Sequence, residues 1–227
     1  MSEYTGTENL EIMTEAVNYN RFLLSLIRSN ARRGDRIADI GAGIGTFALA
    51  LAAEGLDVRC VEPDARQSRV IAEGGLPVVA TAEELADDSL DYIYSLNVLE
   101  HIDDDRAAAT TWVRKLKPGG RMLIYVPAFQ VLFSSLDRLV EHRRRYQRDT
   151  LTDVMLSAGL RVDRVRYADS AGFFATLAFK AIGNDSGTIN RRALVMFDRY
   201  AFPLGRIADT ALDRIVGKNV VLTGVRM

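Results

Sequence analysis

The run RIADIGAGIGTFALALAAEG, residues 36–55, constrains this chain more than any other stretch. RIADI reads as a short strand with Asp39 near its end, GAGIG supplies Gly41, Gly43 and Gly45, and TFALALAAEG reads as a helix closed by Gly55. Glycines at that junction let the backbone turn sharply and approach a ligand closely, with a helix N-terminus behind them. The alternation then repeats. DVRCVEP is a second strand ended by Pro63, residues 65–73 a second helix, LPVVAT a third strand and LDYIYSL a fourth. DDDRAAATTWVRKLKPGG reads as a helix stopped by Pro118-Gly119-Gly120, and RMLIYVP as a fifth strand. Strands alternating with helices at this spacing predict a parallel sheet with helices on both faces, binding ligands at the carboxyl ends of its strands.

The flanks complete the plan. Residues 8–30 have helical apolar spacing through Leu10, Met13, Val17, Phe22, Leu23, Leu26 and Ile27. TLTDVMLSAG is a helix with a Thr150–Asp153 capping pair, LRVDRVRYA a sixth strand and NVVLTGVRM a seventh. Residues 169–218, too long for a simple connection, contain two helical stretches. No linker divides the 227 residues, so one domain is expected. A formal net charge of −1 argues against a general nucleic-acid binder. Cys60, the only cysteine, excludes an intrachain disulfide and a Cys-based zinc site and fits a reducing compartment. The polar, acidic N-terminus is unlike a signal peptide and no apolar run spans a bilayer, so a cytoplasmic home is expected, with peripheral membrane contact left open.

Glu62 ends the second strand about twenty residues after the first glycine, where a carboxylate can grip both ribose hydroxyls. A dinucleotide fingerprint would need glycine where Thr46 stands. Asp39, just before the turn, would repel a pyrophosphate and attract an ammonium group. S-adenosylmethionine offers an ammonium, a sulfonium and a ribose without phosphate. The plain alternative is a tight strand–helix turn that binds nothing.

These motifs together resemble the class I S-adenosylmethionine-dependent methyltransferases, over roughly residues 30–165: ADIGAGIG, the acid in VEPD, DSLDYIYSLNVLEHI and LKPGGRMLIYVP. The resemblance implies an α/β, doubly wound, Rossmann-like sheet of seven strands with the last antiparallel. Residues 1–30 would form a lid helix, 31–168 the cofactor-binding core, 169–218 a helical substrate cap and 219–227 the last strand. It implies that Asp39, Gly41, Gly43 and Gly45 face the methionine part, Glu62 the ribose and Asp64 the adenosine side. Ala82 and Glu83 would meet adenine, Asn97 the cofactor ammonium, and Tyr19 and Asn20 would reach in from the lid. S-adenosylhomocysteine would be the product.

His101 lies just past the fourth strand and His142 in LVEHRRRYQRD, and these two, the only histidines, are the candidates for acid–base work. The alternative for His101 is helix capping or packing. Quinone-pathway O-methyltransferases, which are similar here, carry acids plus a histidine and can use a divalent metal. With Asn97 in place of one acid, no metal site is expected. The later stretch resembles a subgroup with a D…GHxRRY element, Glu141 replacing its glycine. Asp137, Arg143, Arg145 and Tyr146 are therefore candidate acceptor contacts, an arginine fork suiting a carboxylate or phosphate, while Arg144 points to water. The alternative is a charged helix end paired within itself. The aromatic residues of 169–218 make an ordinary core, an apolar acceptor pocket or an amphipathic surface resting on a membrane, where Arg191, Arg192, Arg199 and Arg206 would suit anionic headgroups. The function expected is methyl transfer to a small or lipid-like acceptor, at oxygen. The rivals are a nucleotide-dependent oxidoreductase or epimerase and a non-catalytic cofactor-binding partner protein.

Overall fold

The structure, a computed structural model, describes residues 12–181 and 190–227. Its strands are β1 (Arg36–Ile40), β2 (Asp57–Val61), β3 (Val78–Val79), β4 (Leu90–Leu96), β5 (Leu116–Pro127), β6 (Leu160–Ala168) and β7 (Asn219–Arg226). They form one sheet in the order β3-β2-β1-β4-β5-β7-β6. β1 to β5 pair in parallel, and β7 runs antiparallel between β5 and β6. This is the seven-stranded, Rossmann-like architecture expected, with the order reversing at β1 and β4 so that a crevice opens above their carboxyl ends.

The helices are α1 (Val17–Asn30), α2 (Thr46–Ala53), α3 (Ala65–Glu73), α4 (Asp105–Lys115), α5 (Ser135–Leu139) and α6 (Arg148–Ser157), then α7 (Ser170–Ala181), α8 (Arg191–Met196) and α9 (Phe202–Leu212). A π-helical turn at Phe197–Ala201 joins the last two. Because the sheet is covered on both sides, its central strands are apolar on both faces. Met122, Ile124 and Val126 of β5 join Trp112, Val113, Leu151 and Met155 in one core. Leu123 and Tyr125 join Phe22, Leu23, Ile27, Leu51 and Phe202 in the other. Each such buried side chain stabilises the fold by roughly 1.5–3 kcal/mol.

Several boundaries differ from the sequence expectation. β5 starts at Leu116 rather than after Gly120, because Leu116 is buried and pairs with Leu90, drawing the Pro-Gly-Gly run into a bulged strand. β3 shrinks to Val78–Val79, since the Glu84 carboxylate takes the backbone N–H groups of Ala80 and Thr81. α6 opens at Gln147 with Thr150 as its reciprocal partner, not at Thr150 with Asp153. The first helix begins at Val17, after a separate turn at Ile12 and Met13, and residues 8–11 lie outside the described residues.

The insertion 169–218 is helical where described, and it braces the fold. Asp198 accepts from the backbone N–H groups of Asn18 (2.9 Å) and Tyr19 (2.8 Å), capping α1 from far along the chain. Phe202 packs edge-on against Tyr19, with ring centroids 5.5 Å apart. Asp209 accepts from Asp169 N and Ser170 N at the start of α7. Gly205 lets α7 and α9 touch: a Cβ there would stand 2.4 Å from that of Ala171.

Candidate functional site

A cavity of ≈ 1070 Å³ runs along the carboxyl ends of the strands. At one end it is walled by Asp39, the turn Gly41–Ile44, Glu62, Asp64 and Ala80–Glu83, at the other by His101, Asp137, Val140, His142, Arg145 and Lys218. Tyr19 and Asn20 of α1 and Ala107, Ala108 and Thr111 of α4 complete it.

The glycine turn is built by backbone geometry that glycine favours. Gly41, Gly43 and Gly45 have φ of 75°, 58° and 79°. The Glu62 carboxylate ties this turn to the next strand, accepting from Gly43 N at 2.8 Å and from Asp64 N at 2.9 Å. Burial raises the Glu62 carboxyl above its usual range, against the pull of those two N–H donors. Asp39, 3% exposed, accepts from Tyr94 Oη at 2.8 Å, and burial pushes its carboxyl up to about 7. A buried carboxyl without a cationic neighbour suits a ligand that brings its own positive charge. No lysine or arginine lines this end among the described residues. The cavity's Arg145 and Lys218 sit beside the ends of β5 and β7, and a phosphate-bearing ligand would lack a counter-charge at the turn.

Asp64 caps α3, accepting from Arg66 N and Gln67 N. Ala82 is buried in the turn after β3, and Glu83 is exposed beside it. Asn97 occupies the left-handed region at φ 55°, which Asn tolerates, and its N–H donates to Tyr125 O at 2.7 Å. Tyr19 and Tyr125 hydroxyls meet at 3.1 Å, and Asn20 donates to Met13 O at 2.8 Å. Asp39, Gly41, Gly43, Glu62, Asp64, Ala82, Glu83, Asn97, Tyr19 and Asn20 thus all line one cavity, whereas Gly45 stands behind the turn.

At the other end Asp137 is a buried hub. It accepts from Ser134 N (2.8 Å), Ser134 Oγ (3.0 Å), His142 Nδ1 (2.7 Å), and Arg145 through Nε (2.9 Å) and Nη2 (3.0 Å). Burial would raise this carboxyl, but the bonds from His142 and Arg145 outweigh it and hold it well below the usual range. An ionised carboxylate only accepts, so His142 Nδ1 carries a proton and donates it to Asp137 as a hydrogen bond, leaving Nε2 to face the cavity side. That Nε2 is 3.7 Å from Glu100 Oε1. The His101 and His142 rings meet edge-on at 4.6 Å, and burial, aided by His142, drives His101 down to about 4.

Arg145 spends its fork on Asp137 and donates its third nitrogen to Ala128 O, so it frames the cavity rather than reaching across it. Tyr146 is turned into the core, donating to Asp105 at 2.8 Å, and does not line the cavity. Arg143 lies outside and pairs with Asp103. Arg144 does not point to water; it pairs with Asp105 at 2.9 Å. Glu141 has φ 61°, a conformation that favours glycine. None of the described residues 169–217 lines this cavity, and Phe173 packs on Phe129.

Two features go beyond the sequence reading, in which Glu100 and His101 counted only as the retained part of an unfavoured metal set and Asn219 had no role. Glu100 is fully buried with neither carboxylate oxygen hydrogen-bonded, and burial lifts it to about 8. With His101 and His142 it offers three ligand atoms within 4.8 Å of one another, a set able to hold a divalent cation where none was expected. Asn219 lines the cavity from the head of β7, its buried Oδ1 unpartnered. The available signal was a polar residue opening an otherwise apolar strand.

A family model described as a methyltransferase domain matches residues 14–165. An uncharacterized methyltransferase of Mycobacterium sp. (strain JLS) is 38% identical over 92 residues, 38% of this chain and 36% of the relative. One of Mycobacterium leprae (strain TN) is 34% identical over 98 residues, 40% of this chain and 36% of the relative. The match therefore spans little more than a third of these curated relatives. Among solved structures, a SAM-dependent methyltransferase of Thermotoga maritima has a TM-score of 0.65 at 20% identity, covering 97% of this chain and 95% of that one. Phosphoethanolamine N-methyltransferase 2 of Haemonchus contortus, in complex with S-adenosyl-L-methionine, has a TM-score of 0.60 at 22% identity, covering 92% and 52%. At such identities the likeness is one of fold.

Proposed function

The chain belongs to the methyltransferase domain family, and we propose that it transfers the methyl group of S-adenosylmethionine to a hydroxyl of a small or lipid-like acceptor. The observation that carries this reading is the polarity of one continuous cavity: only acids at the glycine turn, and an oriented histidine at the far end. S-adenosylmethionine supplies an electrophilic methyl on a sulfonium, with an ammonium and a ribose by which it is held. Glu62 takes the ribose hydroxyls, its oxygens fixed by Gly43 N and Asp64 N. Asp39 and the turn hold the ammonium end with Asn97, and Ala82 and Glu83 flank adenine. Tyr19 and Asn20 close over the cofactor from α1.

Alignment and exclusion of water supply most of the acceleration in such a displacement. His142, held by Asp137, receives the acceptor's hydroxyl proton at Nε2 as the O–CH₃ bond forms and the S–CH₃ bond breaks. His101 stays neutral beside it and shapes the acceptor's seat. Asp137 and Arg145 act as positioning residues in this scheme. A second reading, favoured by the unpartnered Glu100 carboxylate, puts a divalent cation among Glu100, His101 and His142; turnover abolished by a chelator and restored by metal selects it.

The primary test is calorimetric titration of S-adenosylhomocysteine and of NADH into the wild type and Glu62→Ala. Binding of S-adenosylhomocysteine weakened about tenfold or more in the variant, with no NADH signal, is expected from the loss of a charge-assisted ribose contact. NADH binding would overturn the reading in favour of an oxidoreductase. Binding without turnover over a panel of hydroxyl acceptors would favour a non-catalytic partner protein.

A further inference from the structure

The segment from Arg191 to Val216 takes no part in the cavity, yet its outer face is unusual. Met196, Tyr200, Leu204 and Ile207 follow one another at helical spacing and are 60%, 56%, 68% and 70% exposed. Ile215, in the turn after α9, and Phe174 and Leu177 of the neighbouring α7 are exposed as well. Scattered apolar side chains on a surface are ordinary, but a row along a whole helical segment is not.

The charges along the same segment are sorted by sign. None of the three acids is left exposed and unpaired: Asp198 caps α1 and Asp209 caps α7 from buried positions, and Asp213, half-buried, pairs with Arg164. The outer surface is left with Arg192, Arg199 and Arg214, exposed and with no carboxylate partner among the described residues. Arg199 lies over the Tyr200 ring at 5.6 Å, so its stem and the ring share one side of the helix. Between residues 190 and 217 no acid is exposed.

We infer that this face docks the protein onto an anionic lipid surface, independently of the methyl-transfer reading. Met196, Tyr200, Leu204 and Ile207 enter the boundary between headgroups and acyl chains, while Arg192, Arg199 and Arg214 flank them and meet lipid phosphates. This is how an amphipathic helix lies in the plane of a membrane. The face does not suit a second copy of the chain, because a two-fold contact would bring arginines together with no exposed acid opposite. A nucleic acid would use the arginines and leave the apolar row in water. Among the described residues no helix is long and apolar enough to cross a membrane, so the contact is with the surface.

The test is co-sedimentation of the whole protein with phosphatidylcholine vesicles and with vesicles containing phosphatidylglycerol. Binding to the anionic vesicles alone, weakened by salt, is expected. The double variant Leu204→Gln/Ile207→Gln should bind about tenfold more weakly or worse, and Arg199→Glu/Arg214→Glu should lose the preference for anionic lipid. Both should keep the wild-type melting temperature and S-adenosylhomocysteine affinity, which separates docking from folding. No vesicle binding, equal binding to both vesicles, or unchanged binding by the apolar double variant would overturn the inference. So would a concentration-dependent dimer that the apolar double variant abolishes, since the face would then be occupied by a second copy.

Discussion

Asp39 carries its charge against burial, with only the Tyr94 hydroxyl donating to it, and ionises near pH 7 in the ligand-free protein. Attraction to an ammonium group needs the ionised form, which is scarce at pH 6 and dominant at pH 8. S-adenosylhomocysteine should therefore bind more tightly as pH rises through this window, by roughly tenfold from the change in ionised fraction. Calorimetry on Asp39→Asn should show weaker binding without that slope. At the other end, Asp137→Asn removes the charge and exchanges one of the two acceptor oxygens for an NH2 donor, so the His142 tautomer is no longer fixed, and kcat should fall about tenfold or more while the acceptor's KM changes little. Steady-state rates over pH 6–9 check this, and an unchanged profile would leave Asp137 a structural residue. Asp39, Glu62 and both histidines were legible as residues because their spacing relative to strand ends is local. The Asp137–His142–Arg145 hub was legible only as one alternative, pairing within the charged stretch, since five and eight residues of separation do not say which way a turn will face.

At the scale of elements, the strand–turn–helix alternation was read correctly because it is written in local periodicity. The brace was invisible, because Asp198 and Asn18 lie 180 residues apart and Asp209 and Asp169 lie 40 apart. Each of these aspartates looks in sequence like one more surface charge on a helix. Asp209→Ala strips the buried N–H groups of Asp169 and Ser170 of their acceptor, and about 1–3 kcal/mol of stability should be lost. Urea unfolding with an unchanged m-value is the check. The shortened β3 and the early start of β5 have the same origin: a side chain or a strand partner elsewhere claims groups that local propensity leaves unassigned.

For the whole molecule, the cavity joins turns from six strand ends, α1 and α4, so a ligand that fills it ties the N-terminal helix to the sheet. A ligand at a hundred times its Kd adds about 2.7 kcal/mol, roughly 5–10 °C in melting temperature for a domain of this size. S-adenosylhomocysteine should produce that shift and NADH none, by thermal unfolding at matched concentrations. The sequence by itself determined the doubly wound sheet, the glycine turn and the acids placed beside it, because strand alternation and turn chemistry are properties of neighbouring residues. Only the tertiary structure decided that the insertion braces α1, that the Glu100 carboxylate is buried without a hydrogen bond, and that Asp198 and Asp209 turn inward and leave arginines outside. The reason is physical: a side chain's burial and partner depend on what the rest of the chain packs against it, and nothing in its immediate neighbours records that.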